Sequence, residues 1–157
     1  MIPRLGTRGQ GWVALQMTLL LVIAVVGVVG RGGWEGRAQI VVAFVGALAL
    51  LGGLVLAAMA LTGLGSALTA MPAPLQGQTL RTNGVYAVVR HPIYGGLILM
   101  ALGFSLQTTP WALAPTAALA VVLDLKRRVE EDFLAAAYRG YPAYRQAVRK
   151  ALIPYVW

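Results

Sequence analysis

A long uncharged stretch near the start of the chain is the feature that most limits how this protein can fold. The residues from Gly11 to Gly30 are 20 in number, carry no charge, and include a single amide, Gln16. An α-helix rises about 1.5 Å per residue, so such a run spans a hydrocarbon core of about 30 Å. We expect a retained helix at about 11–30 rather than a cleaved signal peptide, because the run exceeds a typical signal core and the Arg31-Gly-Gly-Trp-Glu sequence is a poor cleavage context.

Three further apolar runs follow, and they predict helices at about 38–68, 92–106 and 110–136. The first of these is rich in Gly and Ala, which is typical of membrane helices that approach one another closely. The turn Thr108–Pro110 separates the last two, and proline suits the first turn of a helix, so these two runs predict a helical hairpin. The predicted fold is all-α: a polytopic membrane protein of about four transmembrane helices in a single membrane domain, 1–157.

Composition supports a membrane protein and excludes several kinds of site. The chain is 59% hydrophobic and 11% charged, with a mean hydropathy of +0.73. Soluble domains are nearer 45–50% apolar and about 25% charged. The absence of cysteine from the sequence excludes disulfides, thiolate-bound metals and thiol catalysis, and a single histidine leaves no His-rich metal site, so no metal is expected.

The distribution of positive charge predicts the orientation in the membrane. Thirteen Lys and Arg against five Asp and Glu give a net charge of +8. Four crossings place 11 of the 13 basic residues on one side and leave Arg31 and Arg37 on the other. The positive-inside rule then puts both termini in the cytoplasm. The Ala, Gly and Arg richness indicates a GC-rich bacterial source, so we expect the protein in the bacterial inner membrane. Acidic lipid, rather than nucleic acid, is the partner expected for this charge.

The C-terminal tail, from Lys126 onward, differs from the rest of the chain. It holds seven of the 13 basic residues and three of the five acids. Apolar residues such as Val129 and Phe133 recur near helical spacing, which predicts an amphipathic cytoplasmic helical tail interrupted near Gly140–Pro142.

Two clusters could carry chemistry, Gly84–Gly96 before the hairpin and Lys126–Asp132 after it. Because a hairpin brings its two ends together, we expect the clusters to face each other at the cytoplasmic membrane surface. A purely structural interpretation is also available. The first cluster could be a helix start with headgroup anchors, and the second a solvated helix with Lys126–Glu130 and Arg127–Glu131 ion pairs at i,i+4.

Taken together, the clusters resemble the isoprenylcysteine carboxyl methyltransferase and phospholipid methyltransferase family. The resemblance covers Gln78 to Pro154 and rests on an ordered set of motifs: Leu80-x-x-x-Gly84-x-Tyr86-x-x-x-Arg90-His91-Pro92-x-Tyr94-x-Gly96, then Glu130-Glu131-x-x-Leu134, Tyr141-x-x-Tyr144 and Ile153-Pro154. It implies an integral membrane enzyme that uses S-adenosylmethionine. The cofactor would be enclosed by segments 78–96 and 126–154 near the cytoplasmic surface.

The resemblance, with the chemistry of the cofactor, supplies the expected site residues. Catalytic roles are expected for Arg90, His91, Lys126 and Arg127; in the family an arginine four residues before the first glutamate engages the acceptor, and Lys126 stands there. The expected cofactor contacts are Gln78, Thr79, Leu80, Arg81, Tyr86, His91, Pro92, Ile93, Tyr94, Glu130, Glu131 and Tyr144.

The residue types suit that cofactor. A carboxylate such as Glu130 can accept from the ribose or pair with the ammonium, and Arg81, Arg90 or His91 can donate to the carboxylate. Tyrosine faces can pack the adenine or meet the sulfonium. Methyl transfer from an activated donor needs alignment and exclusion of water, with no metal.

The identity of the acceptor stays open at this level. We expect a hydrophobic or membrane-associated molecule that enters from the bilayer: a prenylcysteine-like carboxylate, a lipid amine, a thiol or an isoprenoid acid. Lysine lacks the bidentate fork with which arginine holds a carboxylate, so Lys126 departs from the family pattern. The oligomeric state is not determined by any feature of the sequence.

Two other functions compete with methyl transfer. Membrane sterol reductases that use NADPH share a related C-terminal pattern, but Ile93 and Gly96 stand here where that pattern has Asn and Glu. A non-catalytic membrane scaffold is the other alternative. A transporter is disfavoured because the predicted spans contain no mid-membrane charge.

Overall fold

The computed structural model describes residues 2–154, and over that range the chain forms five α-helices with no β-strand, as the all-α prediction requires. Three short 3-10 turns and several loops connect them. The helices are α1 (Gln10–Val29), α2 (Gly36–Leu64), α3 (Pro92–Thr108), α4 (Leu113–Ala137) and α5 (Tyr141–Ala147).

Helix boundaries follow the predicted runs, with one clear exception. α2 ends at Leu64 rather than 68, because Gly65 adopts a left-handed φ of 53° and the next residues form a 3-10 turn. Apolar residues continue past this point, so hydrophobicity gave no signal of the helix end.

The predicted C-terminal tail divides into three parts. α4 continues unbroken through the charged cluster to Ala137, and α5 begins at Tyr141 with Pro142 in its first turn. The break between them agrees with the predicted interruption. From Val148 to Pro154 the chain is not helical, and the last three residues of the predicted tail lie outside the described residues.

α2 and α3 pack antiparallel at very short range, through glycines on both helices. A Cβ atom built on Gly53 would lie 2.7 Å from the Gly96 carbonyl oxygen, and one built on Gly103 would lie 2.5 Å from that of Gly46. These glycines are spaced seven residues apart on each helix, so they lie along one face. Small residues here let the two backbones touch.

The non-helical end of the tail returns to the bundle and completes its core. Leu152 is fully buried with Leu119, Leu123 and Ile98. The backbone N–H of His91 donates to the Ala151 carbonyl at 2.8 Å, so the tail is joined to the start of α3 by main-chain hydrogen bonding.

The outer faces of α1 and α2 are apolar and exposed. Val29 is 81% exposed, Ile40 74% and Phe44 65%, values that an aqueous surface disfavours and a lipid surface accommodates. Within residues 2–154, α1 and α2 are the two helices long and apolar enough to cross a membrane. α3 is apolar but has 17 residues, and α4 carries the charged cluster in its C-terminal part.

We expect Gly53→Ala to destabilise the protein and Gly52→Ala to leave its stability unchanged. The added methyl of the first would meet the backbone of α3, which cannot move aside, whereas nothing lies within 4 Å of the second. Overpacking of this kind costs about 1–3 kcal/mol. The measurement is the thermal unfolding midpoint of each variant purified in detergent; equal midpoints for the two neighbouring variants would contradict close α2–α3 packing.

Candidate functional site

Two adjoining cavities open where the loop before α3 meets the charged part of α4. The first, which we call the polar cleft, encloses about 650 Å³ including its mouth and lies between the connector 69–81, the turn at 84–87, α4 and α5. The second, the apolar cavity, encloses about 880 Å³ and is bounded by α1, the start of α3 and α4. Ile93 and Leu97 line the apolar cavity.

A small set of residues borders both cavities and so forms the wall between them. Its members are Leu64, Thr69, Tyr86, Arg90, His91 and Glu130. The wall therefore contains an acid, a phenol and an imidazole. The two cavities therefore meet at these side chains.

Local backbone structure holds this wall in place. Gly84 has a φ of 60° and starts the turn at 84–87, which turns Tyr86 inward so that its hydroxyl donates to the Ala60 carbonyl at 3.2 Å. Tyr144 of α5 donates in turn to the Tyr86 carbonyl at 2.7 Å. His91 precedes Pro92, which occupies the first turn of α3 and fixes where that helix begins.

The two adjacent glutamates of α4 have different surroundings. The Glu131 side chain is 2% exposed, and its Oε1 accepts from Arg90 Nε at 3.0 Å and Nη2 at 2.9 Å. His91 Nε2 lies 3.3 Å and Arg127 Nη1 3.4 Å from the same oxygen, and Arg145 Nε lies 3.3 Å from the other. Burial alone would raise the pKa of Glu131, but the hydrogen bonds and positive charges of His91 and Arg90 outweigh it and bring the pKa to about 2.

Glu130, by contrast, borders both cavities, and its side chain is 23% exposed. Its Oε2 accepts a hydrogen bond from the Tyr94 hydroxyl at 2.5 Å, and its Oε1 lies 3.8 Å from His91 Nδ1. One carboxylate is thus available to a ligand, while its neighbour is enclosed by basic side chains.

Arg90 uses its guanidinium for structure. Besides the bonds to Glu131, its Nη1 donates to the Val148 carbonyl at 2.6 Å and to the Arg149 carbonyl at 2.9 Å. The side chain therefore ties α4 and the returning tail to the start of α3. A catalytic role for Arg90 stays a prediction, and its guanidinium donates to Glu131 and to the tail carbonyls.

The structure brings most of the predicted site residues together but divides them between the cavities. The polar cleft is lined by Gln78, Thr79, Leu80, Arg81, Tyr86, His91, Glu130 and Tyr144. The apolar cavity is lined by Tyr86, His91, Pro92, Ile93, Tyr94, Lys126 and Glu130. Two predicted residues line neither: Glu131 lies behind the wall, and Arg127 pairs with Asp124 along α4, Nη2 to Oδ1 at 2.6 Å.

Some polar atoms of the cleft have no protein partner. Arg81 Nε and the Tyr141 hydroxyl are buried, and neither has a hydrogen-bond partner among residues 2–154. Both residues line the polar cleft. Buried polar groups are normally satisfied, so these two atoms are candidates for hydrogen bonds to a bound ligand.

The tyrosines around the cleft stay neutral at physiological pH. Burial, followed by the negative charge of Glu130, raises the pKa of Tyr86, and burial also raises the pKa of Tyr144 to about 12. Their hydroxyls can therefore donate hydrogen bonds, and their rings offer flat apolar faces.

Sequence reasoning missed several residues of these cavities, among them Tyr138, Tyr141 and Gln16. Tyr138 and Tyr141 line the polar cleft and Gln16 lines the apolar cavity. The Tyr141-x-x-Tyr144 motif could have indicated Tyr141, since α5 places both residues near the cleft. Gln16, 110 residues before its partner Lys126, gave no such signal beyond being an amide in an apolar run.

Comparison with known proteins supports a family assignment. The family model for phospholipid methyltransferase matches residues 41–140, which contain most of both cavities and the two motif clusters. The chain belongs to the phospholipid methyltransferase family. No curated protein and no solved structure matches the chain significantly.

This family assignment confirms the predicted resemblance and indicates what kind of protein this is. Phospholipid methyltransferases are enzymes that act on membrane-associated substrates, and the apolar outer faces of α1 and α2 agree with a membrane protein. The matched segment ends at residue 140 and begins at 41, so α1 and the returning tail lie outside it.

We expect Glu131→Gln to lower stability by on the order of 3 kcal/mol near neutral pH, because Arg90 and His91 lose their shared negative charge. A carboxylate whose folded pKa is about 2 and whose usual value is 4.5 contributes its full stability above the usual value. That contribution is lost as pH falls from 4.5 toward 2.

The gap in unfolding midpoint between wild type and Glu131→Gln should therefore narrow in acid. Asp132→Asn is the control, since it removes an adjacent, exposed acid. A difference in midpoint between wild type and Glu131→Gln that is as large near pH 3 as near pH 7 would rule out the buried ion cluster as the source of stability. So would an equal loss of stability in Asp132→Asn.

Proposed function

We propose that the protein transfers a methyl group from S-adenosylmethionine to a membrane-associated acceptor. The observation that carries this proposal is the pair of cavities divided by Tyr86, His91 and Glu130. A polar cleft open to one face suits a charged nucleoside donor, and an adjoining apolar cavity suits the hydrophobic part of an acceptor. The membrane-associated substrates of the family and the polar residues of the wall also support this proposal.

The residues of the polar cleft fit the cofactor group by group. Arg81, with its unpartnered Nε, can donate to the cofactor carboxylate. Glu130 can accept from the ribose hydroxyls or pair with the ammonium, and the neutral rings of Tyr86 and Tyr144 can pack the adenine. Gln78 and Thr79 add amide and hydroxyl groups to the lining of the same cleft.

When bound, S-adenosylmethionine supplies an activated methyl group that can be displaced without a metal. The protein must align the acceptor with the methyl group and exclude water, and the two cavities meet at Tyr86, His91 and Glu130. Tyr94 holds the Glu130 carboxylate, which keeps it at the wall. A carboxylate or thiolate acceptor needs no base, whereas an amine or a neutral thiol would have to lose a proton.

The membrane arrangement of this proposal has four crossings. α1 and α2 span the bilayer, and the apolar hairpin of α3 with the first half of α4 makes the other two. Both cavities then lie at the face that carries most of the basic residues, which the positive-inside rule makes cytoplasmic. We place the protein in the bacterial inner membrane as a single membrane domain.

S-Adenosylhomocysteine should bind the detergent-purified protein, and Glu130→Gln should weaken that binding at least tenfold. The substitution removes the negative charge that faces the cleft but keeps the size of the side chain. Tenfold corresponds to about 1.4 kcal/mol, the usual worth of one charge-assisted hydrogen bond. Calorimetric titration measures the affinity. Asp132→Asn, which removes an exposed acid two residues along α4, is the matched control, and NADPH is the comparison ligand.

Binding of NADPH without binding of S-adenosylhomocysteine would overturn the proposal in favour of a reductase. Failure of both S-adenosylhomocysteine and NADPH to bind the wild-type protein, or wild-type affinity in Glu130→Gln, would contradict the assigned cofactor site.

A further inference from the structure

A groove lies at the end of the bundle opposite the polar cleft, and the proposed methyl transfer uses none of its residues. It has a volume of about 1080 Å³ including its mouth and is bounded by the loop after α1, the N-terminal half of α2 and the last turns of α3. The backbone N–H of Gly32 donates to the Thr108 carbonyl at 3.0 Å, which fastens the loop to the end of α3. We call this space the far groove.

The polar residues of the far groove lie at or near the helix ends and include a cation. Arg31, Gln39 and Gln107 belong to this part of the lining. In the described part of the chain, no carboxylate forms an ion pair with Arg31. That statement includes Glu35, the acid nearest in sequence, which does not line the groove. The guanidinium is therefore available to an anion.

An aromatic donor lines the same groove. Trp34 is half-buried, and its indole Nε1 is shielded from solvent without a hydrogen-bond partner among residues 2–154. A buried indole N–H usually has an acceptor. This donor and the Arg31 guanidinium, three residues apart on one loop, can serve the same anionic group.

The far groove becomes apolar toward the middle of the helices, where Leu50 and Phe104 line it. The same two residues line an adjoining groove of about 630 Å³ that runs along α1 and α3. The other residues of this adjoining groove are all apolar: Leu20, Ile23, Ala24, Leu97, Met100 and Ala101. Helix α3 rises about 10 Å between Leu97 and Phe104, which is room for part of an acyl chain.

The polar and apolar parts together indicate the class of ligand. A free phosphate would meet Arg31 but leave the apolar continuation empty, and a neutral hydrocarbon would leave the guanidinium unused. A phospholipid suits both parts, because its phosphate pairs with a guanidinium and its acyl chains lie against apolar side chains. The segment carries Arg31 and Arg37 against Glu35, and this positive excess favours a head group with a net negative charge.

We propose that the far groove binds a phospholipid of the surrounding bilayer, with its anionic head group at Arg31 and Trp34 and an acyl chain along Leu50 and Phe104. The site lies at the other ends of α2 and α3 from the two cavities assigned to methyl transfer. It is therefore a second lipid site, and it does not depend on the proposed function.

Three lipids with the same two oleoyl chains test the head group: dioleoylphosphatidylglycerol, dioleoylphosphatidylcholine and dioleoylglycerol. Delipidated wild-type protein in detergent should bind the phosphatidylglycerol at least tenfold more tightly than dioleoylglycerol, which lacks the phosphate. The phosphatidylcholine, whose head group has no net charge, should bind with intermediate affinity. Native mass spectrometry over a series of lipid concentrations measures these affinities. Glycerol phosphate, a head group without chains, should not bind at the same concentrations.

Variants of the loop test the polar end of the site. Arg31→Gln should weaken binding of phosphatidylglycerol about tenfold. Trp34→Phe, which removes the indole N–H but keeps an aromatic ring, should weaken it by a smaller factor. Arg37→Gln is the matched control, because it removes the same charge from an exposed residue at the start of α2 that does not line the groove.

A pair of alanine substitutions tests the apolar end of the site. Ala43→Phe places a ring in the far groove and should weaken binding of phosphatidylglycerol. Ala38→Phe places the same ring on an exposed position of α2 outside the groove and should leave the affinity unchanged.

Thermal unfolding midpoints, measured with and without lipid, separate lost binding from lost structure. Phosphatidylglycerol should raise the midpoint of wild type and Arg37→Gln but not that of Arg31→Gln. The lipid-free midpoint of Arg31→Gln should equal that of wild type, and Trp34→Phe and Ala43→Phe repeat the test at other residues of the site.

The inference would be overturned by equal affinities of wild type for phosphatidylglycerol and dioleoylglycerol, or by equal affinities of Arg31→Gln and Arg37→Gln. Binding of glycerol phosphate as tightly as phosphatidylglycerol would also overturn it, in favour of a site for a free anion. S-Adenosylhomocysteine binding should be the same in all these variants. Its failure in wild type would contradict the proposed function and leave the lipid site standing.

Discussion

The ion pair between Glu131 and Arg90 is the interaction on which the site depends. It joins the middle of the charged part of α4 to the residue just before His91, and the same guanidinium holds the carbonyls of the returning tail. Four basic side chains surround this one buried carboxylate and offset the cost of removing its charge from water. With Glu131 committed to structure, Glu130 is left at the wall of both cavities.

Helix packing sets where that wall can lie. The glycine contacts bring α2 against α3 so closely that Gly63 and Ala60 reach Tyr86, whose hydroxyl donates to the Ala60 carbonyl. α1 packs against α4 on the other side, where Lys126 donates a hydrogen bond to Gln16. The polar cleft and the apolar cavity are thus consequences of two different helix contacts, one made by small residues and one by a buried polar pair.

The sequence predicted the helices well because apolar runs, prolines and charge clusters all mark them. It could not distinguish the role of Glu130 from that of Glu131. Adjacent helical residues point about 100° apart, and only the side chains packed around them show which one faces inward. The path of residues 148–154 into the core has no periodic pattern, and the Gln16 contact joins residues at opposite ends of the chain. Such long-range contacts follow from packing, which a single sequence does not specify.

Transfer of a labelled methyl group is the measurement that tests the central claim most directly. Wild-type protein in vesicles of its host's lipid extract, supplied with S-adenosylmethionine labelled in the methyl group, should place label in organic-soluble material. Glu130→Gln should place at least tenfold less, and Asp132→Asn as much as wild type. Label that stays wholly in the aqueous phase with wild-type protein that binds the cofactor would contradict methyl transfer to a membrane-associated acceptor.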